Sequence, residues 1–210
     1  MNTAYLDPFP PHTKINYEEI YNPYDYGTVN YKDKAFHLID TGGIDLGKDD
    51  FNEDIIETFY LPLREFEQDD SDEPITVILN SVGGSVSDGF FLANYLASYK
   101  KKINLIVAGY AASMAAVILS AGGKNENITR KAYPSTYILI HDGYVALSAS
   151  EAKTANDIMA FNNQVDENIR NFIISNTNIT EELYDSKARK QWFISAQEAL
   201  ELNLIDEIME

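Results

Sequence analysis

The pattern of apolar and polar positions divides the chain into a sparse opening and a dense α/β remainder. Residues 1–34 hold no lasting helical or alternating period. They are rich in Tyr, Pro and Asn, with PFPPH early and NPYDYG later, and read as an irregular N-terminal arm that packs on something larger. From residue 35 the pattern tightens. AFHLID (35–40) reads as a first core strand, closed by the turn residues TGGI. In DDFNEDIIETFYLPLREFE, Phe51, Ile55, Phe59 and Leu63 recur at near-helical spacing behind a cap at Asp49 or Asp50. Pro62 is expected to kink or end that helix, and the acidic run from Glu65 to Glu73 reads as a solvated loop.

PITVILN (74–80) is β-branched and uncharged, the signature of a buried strand, and it stops at SVGGS. A helix over 86–99 follows, with Phe90, Leu92, Ala93 and Leu96 facing inward. The stretch INLIVAGYAASMAAVILSAGG (103–123) then reads as a strand, a sharp turn and an apolar helix opening at Ser113, and TYILI (136–140) as another buried strand. Strand–helix–strand at this spacing predicts parallel βαβ units. A long helix is predicted from Ser148 to about Ser175, where Ile158, Val165 and Phe172 repeat every seven residues with Ala155, Ile169 and Ile173 in support. Its apolar stripe either covers the sheet or docks a neighbouring subunit. Asn178 with Glu181, and Ser195 with Glu198, are spaced as capping boxes for two short helices, and LIDEIM closes the chain as a short strand.

Composition narrows the function. The 210 residues suffice for one α/β domain with an appendage. A net charge of -17 disfavours nucleic acid. Zero cysteines exclude disulfides, thiol nucleophiles and thiolate metal sites, and fit a reducing cytoplasmic setting. No apolar core of a signal peptide stands in MNTAYLDPFPPHTK. Residues 103–123 run without charge for about the 20 residues a membrane helix needs and are flanked by Lys100, Lys101, Lys102 and Lys124. Gly109 and the small residues after it split that run into a β-branched half and an alanine-rich half, so no membrane span is expected.

In parallel sheets, ligands bind beyond the carboxyl ends of the strands, where SVGGS, YAAS and HDG all fall. A serine at such a turn is either an N-cap or a nucleophile whose neighbouring N–H groups hold an oxyanion. Of three histidines, His12 lies in the Pro-rich arm and His37 inside a strand, whereas His141 ends a strand at the same edge as Ser113. That pairing makes His141 a candidate general base. Met114 and the Gly83-Gly84 pair offer backbone N–H donors. NSVGGSV is too short for a dinucleotide fingerprint and lacks the phosphate-loop lysine.

NSVGGSVSDG, GYAASMA, IHDG and WFISAQEALELNLIDEI resemble, in order and spacing, the proteolytic subunit (ClpP) family of the Clp protease, over residues 35–210. The resemblance implies a ClpP/crotonase-like α/β fold with a protruding handle helix. It implies a serine endopeptidase with Ser113 as nucleophile, His141 as base, and Gly84 and Met114 as oxyanion donors. It further implies self-assembly into heptameric rings stacked as a tetradecamer, an AAA+ unfoldase partner that supplies ATP hydrolysis, unfolded polypeptide as substrate, and no cofactor or metal in this chain. One position departs: two residues before Phe193, where the family carries an Asp, stands Gln191. Asp185, in what reads as a loop, and the neighbouring Asp142 are alternative acceptors for the imidazole. Three other readings stay open: a catalytically impaired ring subunit, a crotonase-type acyl-CoA enzyme, and a serine–lysine peptidase.

Overall fold

The computed structural model describes residues 27–30, 35–39, 59–68, 72–142, 154–188 and 190–210. The expected cap at Asp49 or Asp50, Phe51, Ile55, the TGGI turn and the start of the long helix before residue 154 lie outside them. Among the described residues, eight strands form one sheet. β1 (Gly27–Asn30), β2 (Ala35–Ile39), β3 (Ile75–Ser81), β4 (Ile103–Ala112), β5 (Ile128–Ala132) and β8 (Glu207–Ile208) follow one another across it. β6 (Tyr137–Ile140) pairs with β4, and β7 (Trp192–Ser195) pairs with β6. The path from β2 through β8 is parallel, as is β4 with β6; β1 and β7 run antiparallel to their neighbours. This is the α/β architecture the βαβ spacing predicts.

The apolar pattern becomes the core directly. Ile75, Val77 and Leu79 of β3 and Ile103, Leu105 and Val107 of β4 are buried by strict alternation. Helix α2 (Val86–Ala97) buries Leu92, Ala93 and Leu96 against α3 (Met114–Ser120), all seven of whose residues are buried. At about 1.5–3 kcal/mol for each large apolar side chain, these two layers hold the sheet edge on which the candidate chemistry stands. The long helix α4 (Ala155–Asn176) buries only Ile173 fully and leaves Met159 and Phe161 exposed.

Several elements differ from the reading of the pattern. Gly27–Asn30, inside the stretch read as irregular, is a strand: its pairing with Phe36 and His37 comes from tertiary context, not from a period of its own. Pro62 is the second residue of α1 (Leu61–Gln68), which follows directly on π-helical Phe59 and Tyr60, so the helix does not end at the proline but changes its winding around it. The acidic run therefore begins inside that helix. Strand β4 continues past Gly109 to Ala112. β5 was not legible because Arg130 and Lys131 interrupt its apolar pattern, yet Arg130 is 1% exposed. Its Nε and Nη2 donate to the Asp206 carboxylate at 3.1 and 2.6 Å, and Nη1 and Nη2 donate to Asn203. A short helix α5 (Glu181–Lys187) is capped by Thr180, whose Oγ1 accepts from Leu183 N, rather than by Asn178. Ser195 caps α6 (Ala196–Glu201) as its spacing predicts, accepting from Glu198 N.

Candidate active site at the carboxyl ends of the strands

Ser113 joins β4 to α3 with φ 55° and ψ −124°. An N-cap residue takes β-region angles and turns its side-chain oxygen onto the first-turn N–H groups. Ser113 does neither, for it makes no side-chain cap hydrogen bond. The hydroxyl is thus withheld from the helix, and a non-glycine residue in this region costs of order 1–3 kcal/mol that the surroundings must offset.

The surroundings that hold this turn are identifiable. The pairing of β3 with β4 steps from Leu79↔Val107 to Ser81↔Ala111, so β4 carries a bulge around Gly109, φ 112°. Asn80 Oδ1 packs onto Gly109, where a side chain would collide, and accepts from Tyr110 N at 3.1 Å. Beyond the bulge β4 leaves β5 and pairs with β6, in register from Tyr110↔Tyr137 to Ala112↔Leu139. A bulge that bends a strand re-aims its end, and here it delivers Ser113 to β6, where Ser113 N donates to Leu139 O at 2.8 Å. On the other side lies Gly83, φ 91°, whose N–H donates to the buried Ser81 Oγ at 3.1 Å. A Cβ on Gly83 would stand 2.7 Å from Ser113 Cβ and 2.8 Å from Met114 N. So the glycine turn, Ser113 and the first residue of α3 meet in one contact, with Gly84 next along the chain.

His141 follows β6 directly and is half-buried. Its side chain and that of Ser113 make no hydrogen bond to each other, but the β4–β6 register brings both residues to one edge of the sheet. His141 Nδ1 lies 2.7 Å from the main-chain oxygen of Asp142. A carbonyl only accepts, so this bond requires the proton on Nδ1 and leaves the Nε2 lone pair free. The β6–β7 ladder runs from Tyr137↔Ser195 to Ile140↔Trp192. The ladder ends there, so Gln191 and His141 are the residues just past its last pair, on adjacent chain ends. Gln191 is exposed and its side chain makes no hydrogen bond among the described residues.

Asp185 is not in a loop and is not held for the histidine. It sits in α5, where Arg170 of α4 clamps both its oxygens at 2.8 and 3.0 Å. Arg170 also reaches Glu181 at 3.1 Å, and its guanidinium is held further toward the charged form, first by the hydrogen bond to Asp185. Asp142 meets the histidine through its backbone and not through a carboxylate. No lysine is buried among the described residues, and none of their helices is long and apolar enough to cross a membrane.

The family model for the Clp protease matches residues 28–210. The chain belongs to the Clp protease family. Within this ClpP-type chain the matched span takes in the whole sheet apart from Gly27. Relatives include the ATP-dependent Clp protease proteolytic subunits of two strains of Dehalococcoides mccartyi, each 30% identical over 162 residues, 76% of this chain and 78% of theirs. The subunit from a third strain is 29% identical over the same length. What sequence reasoning missed in this ClpP-type site is its backbone: the Asp142 carbonyl leaves no side-chain signal, and only Gly109 hinted at the bulge.

Proposed function

We propose that this chain is the proteolytic subunit of an ATP-dependent Clp-type protease and works as a serine endopeptidase. The observation that carries the reading is the strained Ser113 turn, whose hydroxyl caps nothing. Ser113 Oγ attacks the scissile carbonyl carbon and its proton passes to His141 Nε2. The carbonyl electron pair moves onto oxygen, held by the N–H groups of Gly84 and Met114. Collapse expels the amine, which takes the proton back from Nε2, and leaves an acyl-enzyme. Water repeats the sequence and frees Ser113. No cofactor or metal enters any step.

The chain assembles into heptameric rings paired as a tetradecamer, and α4 is the contact between rings. Support comes from Met159 and Phe161, 48% and 65% exposed on a helix that buries only Ile173 fully. An AAA+ Clp ATPase unfolds the substrate and feeds it in, in the cytoplasm. Residues 35–210 form the peptidase domain, with the stretch before them as an N-terminal arm that contributes β1.

Gln191 favours a second reading, a ring subunit of low intrinsic turnover. An amide near His141 adds no charge to stabilise the imidazolium, and in the serine-protease triad replacing the carboxylate by an amide costs about 10⁴-fold. A fluorophosphonate probe separates the two. Covalent labelling of the assembled wild-type protein, absent in Ser113→Ala, is expected for the peptidase; an unlabelled wild type would leave only the scaffold. Loss of labelling in His141→Ala distinguishes the histidine base from a lysine base.

A further inference from the structure

We infer that the main-chain carbonyl of Asp142, and not a side chain of the described residues, positions the imidazole of His141. The inference rests on the reading of His141 as general base. An imidazole that takes a proton on Nε2 must present that nitrogen and keep Nδ1–H engaged, which in triad enzymes is the task of a carboxylate. None of the three side chains weighed for that task makes this bond. Gln191, just past the last pair of the ladder, is solvated and unbonded among the described residues. Asp185 spends both oxygens on Arg170. Asp142 offers Nδ1 its backbone oxygen at 2.7 Å.

The residue that carries this carbonyl is anchored at its N–H. Asp142 N donates to Ala188 O at 2.9 Å, and Ala188 is the fully buried C-cap of α5, donating in turn to Tyr184 O at 2.8 Å. Tyr184 is buried in the core, and the same helix is bridged to α4 by Arg170 through Asp185 and Glu181. The peptide after His141 is therefore tied to the end of a helix anchored at both its core and its outer face. A neutral carbonyl acceptor in this position fixes tautomer and ring orientation, the two geometric services of a triad carboxylate, and omits its charge. The site is then an oriented Ser–His dyad. Its proton moves from Ser113 Oγ to Nε2, while the Nδ1 proton stays in place and is donated to the Asp142 oxygen throughout.

Solid-state ¹⁵N NMR on the full-length, histidine-labelled, assembled protein tests this, with ¹³C in the main-chain carbonyls of aspartate and asparagine. The expected result is an Nδ1–H tautomer for His141 with a dipolar contact to the Asp142 carbonyl carbon, both retained in Gln191→Ala and in Asp142→Asn. Both side chains are exposed, so neither substitution threatens the fold. A shift of His141 to the Nε2–H tautomer in either variant, or loss of the carbonyl contact in wild type, would overturn the inference by assigning the acceptor to a side chain. Fluorophosphonate labelling of the same samples keeps the two claims apart. A wild type that retains tautomer and contact but does not label sinks the peptidase reading and leaves the positioning intact.

Discussion

Replacing Gly83 by alanine should disable Ser113 without unfolding the protein. The new Cβ would lie 2.6 Å from Ala112 O, 2.7 Å from Ser113 Cβ and 2.8 Å from Met114 N. Carbon–carbon contacts settle at about 3.5–4.0 Å, so Ser113 must retreat by about 1 Å. Its backbone cannot yield easily, because Ser113 N is held by Leu139 O and α3 is buried on every side. A misplacement of about 1 Å costs about 10²-fold in rate. Alanine at φ 91° adds strain of about 1–3 kcal/mol, which for a chain of this size lowers Tm by about 2–12 °C. The assay is the fluorophosphonate labelling rate, measured well below Tm on protein whose circular dichroism matches wild type. Gly89→Ala is the graded control: its nearest clash, at 2.6 Å, is with Cε at the far end of the flexible Met114 side chain, so a loss of about tenfold or less is expected. A folded Gly83→Ala protein that labels Ser113 at the wild-type rate would refute the reasoning.

Gln191→Asp should raise peptide turnover, by about tenfold or more, because a carboxylate near His141 would stabilise the imidazolium the amide cannot; an unchanged kcat would show that residue 191 does not reach the ring. Arg130→Met should lower stability by about 3 kcal/mol, the low end for breaking a buried pair because Asp206 keeps contact with water; urea unfolding measures it, and a loss under about 1 kcal/mol would remove the network's structural role. Alkali should weaken the fold. Burial pushes the phenols of Tyr99 and Tyr184 well above their ordinary value, so the folded state holds protons that the unfolded chain gives up. The stability this supplies is full below about pH 10, the ordinary tyrosine value, and is lost as pH rises beyond it. Urea midpoints from pH 9 to 11.5 should fall in wild type and fall less steeply in Tyr184→Phe.

How far the fold can be read from the chain depends on where the deciding interactions lie. β3, α2 and the β4–α3 junction announce themselves because their burial follows a local period. β5 hides because its core position holds Arg130, whose acceptors, Asn203 and Asp206, lie more than 70 residues away. Pro62 marks a change of winding, from π-helical Phe59 and Tyr60 into α1, that an apolar period does not record. For the site, Ser113, Gly83 and His141 are legible as strand-end residues, and the fold does gather them at one edge. The fate of Asp185 is not legible, since Arg170 stands 15 residues before it on another helix. Gln191 comes beside His141 only by way of an antiparallel ladder that ends one pair earlier and whose register no local pattern declares.

The left-handed turn at residue 113 has a consequence for how this protein would drift or be engineered. Glycine is the residue that adopts φ 55° without steric cost, so Ser113→Gly should be more stable than the parent chain and more stable than Ser113→Ala. Selection for thermal robustness alone would therefore erase the hydroxyl first. A serine retained here is held against the preference of its own backbone, and a screen scored on melting temperature would rank the inert variant above the parent.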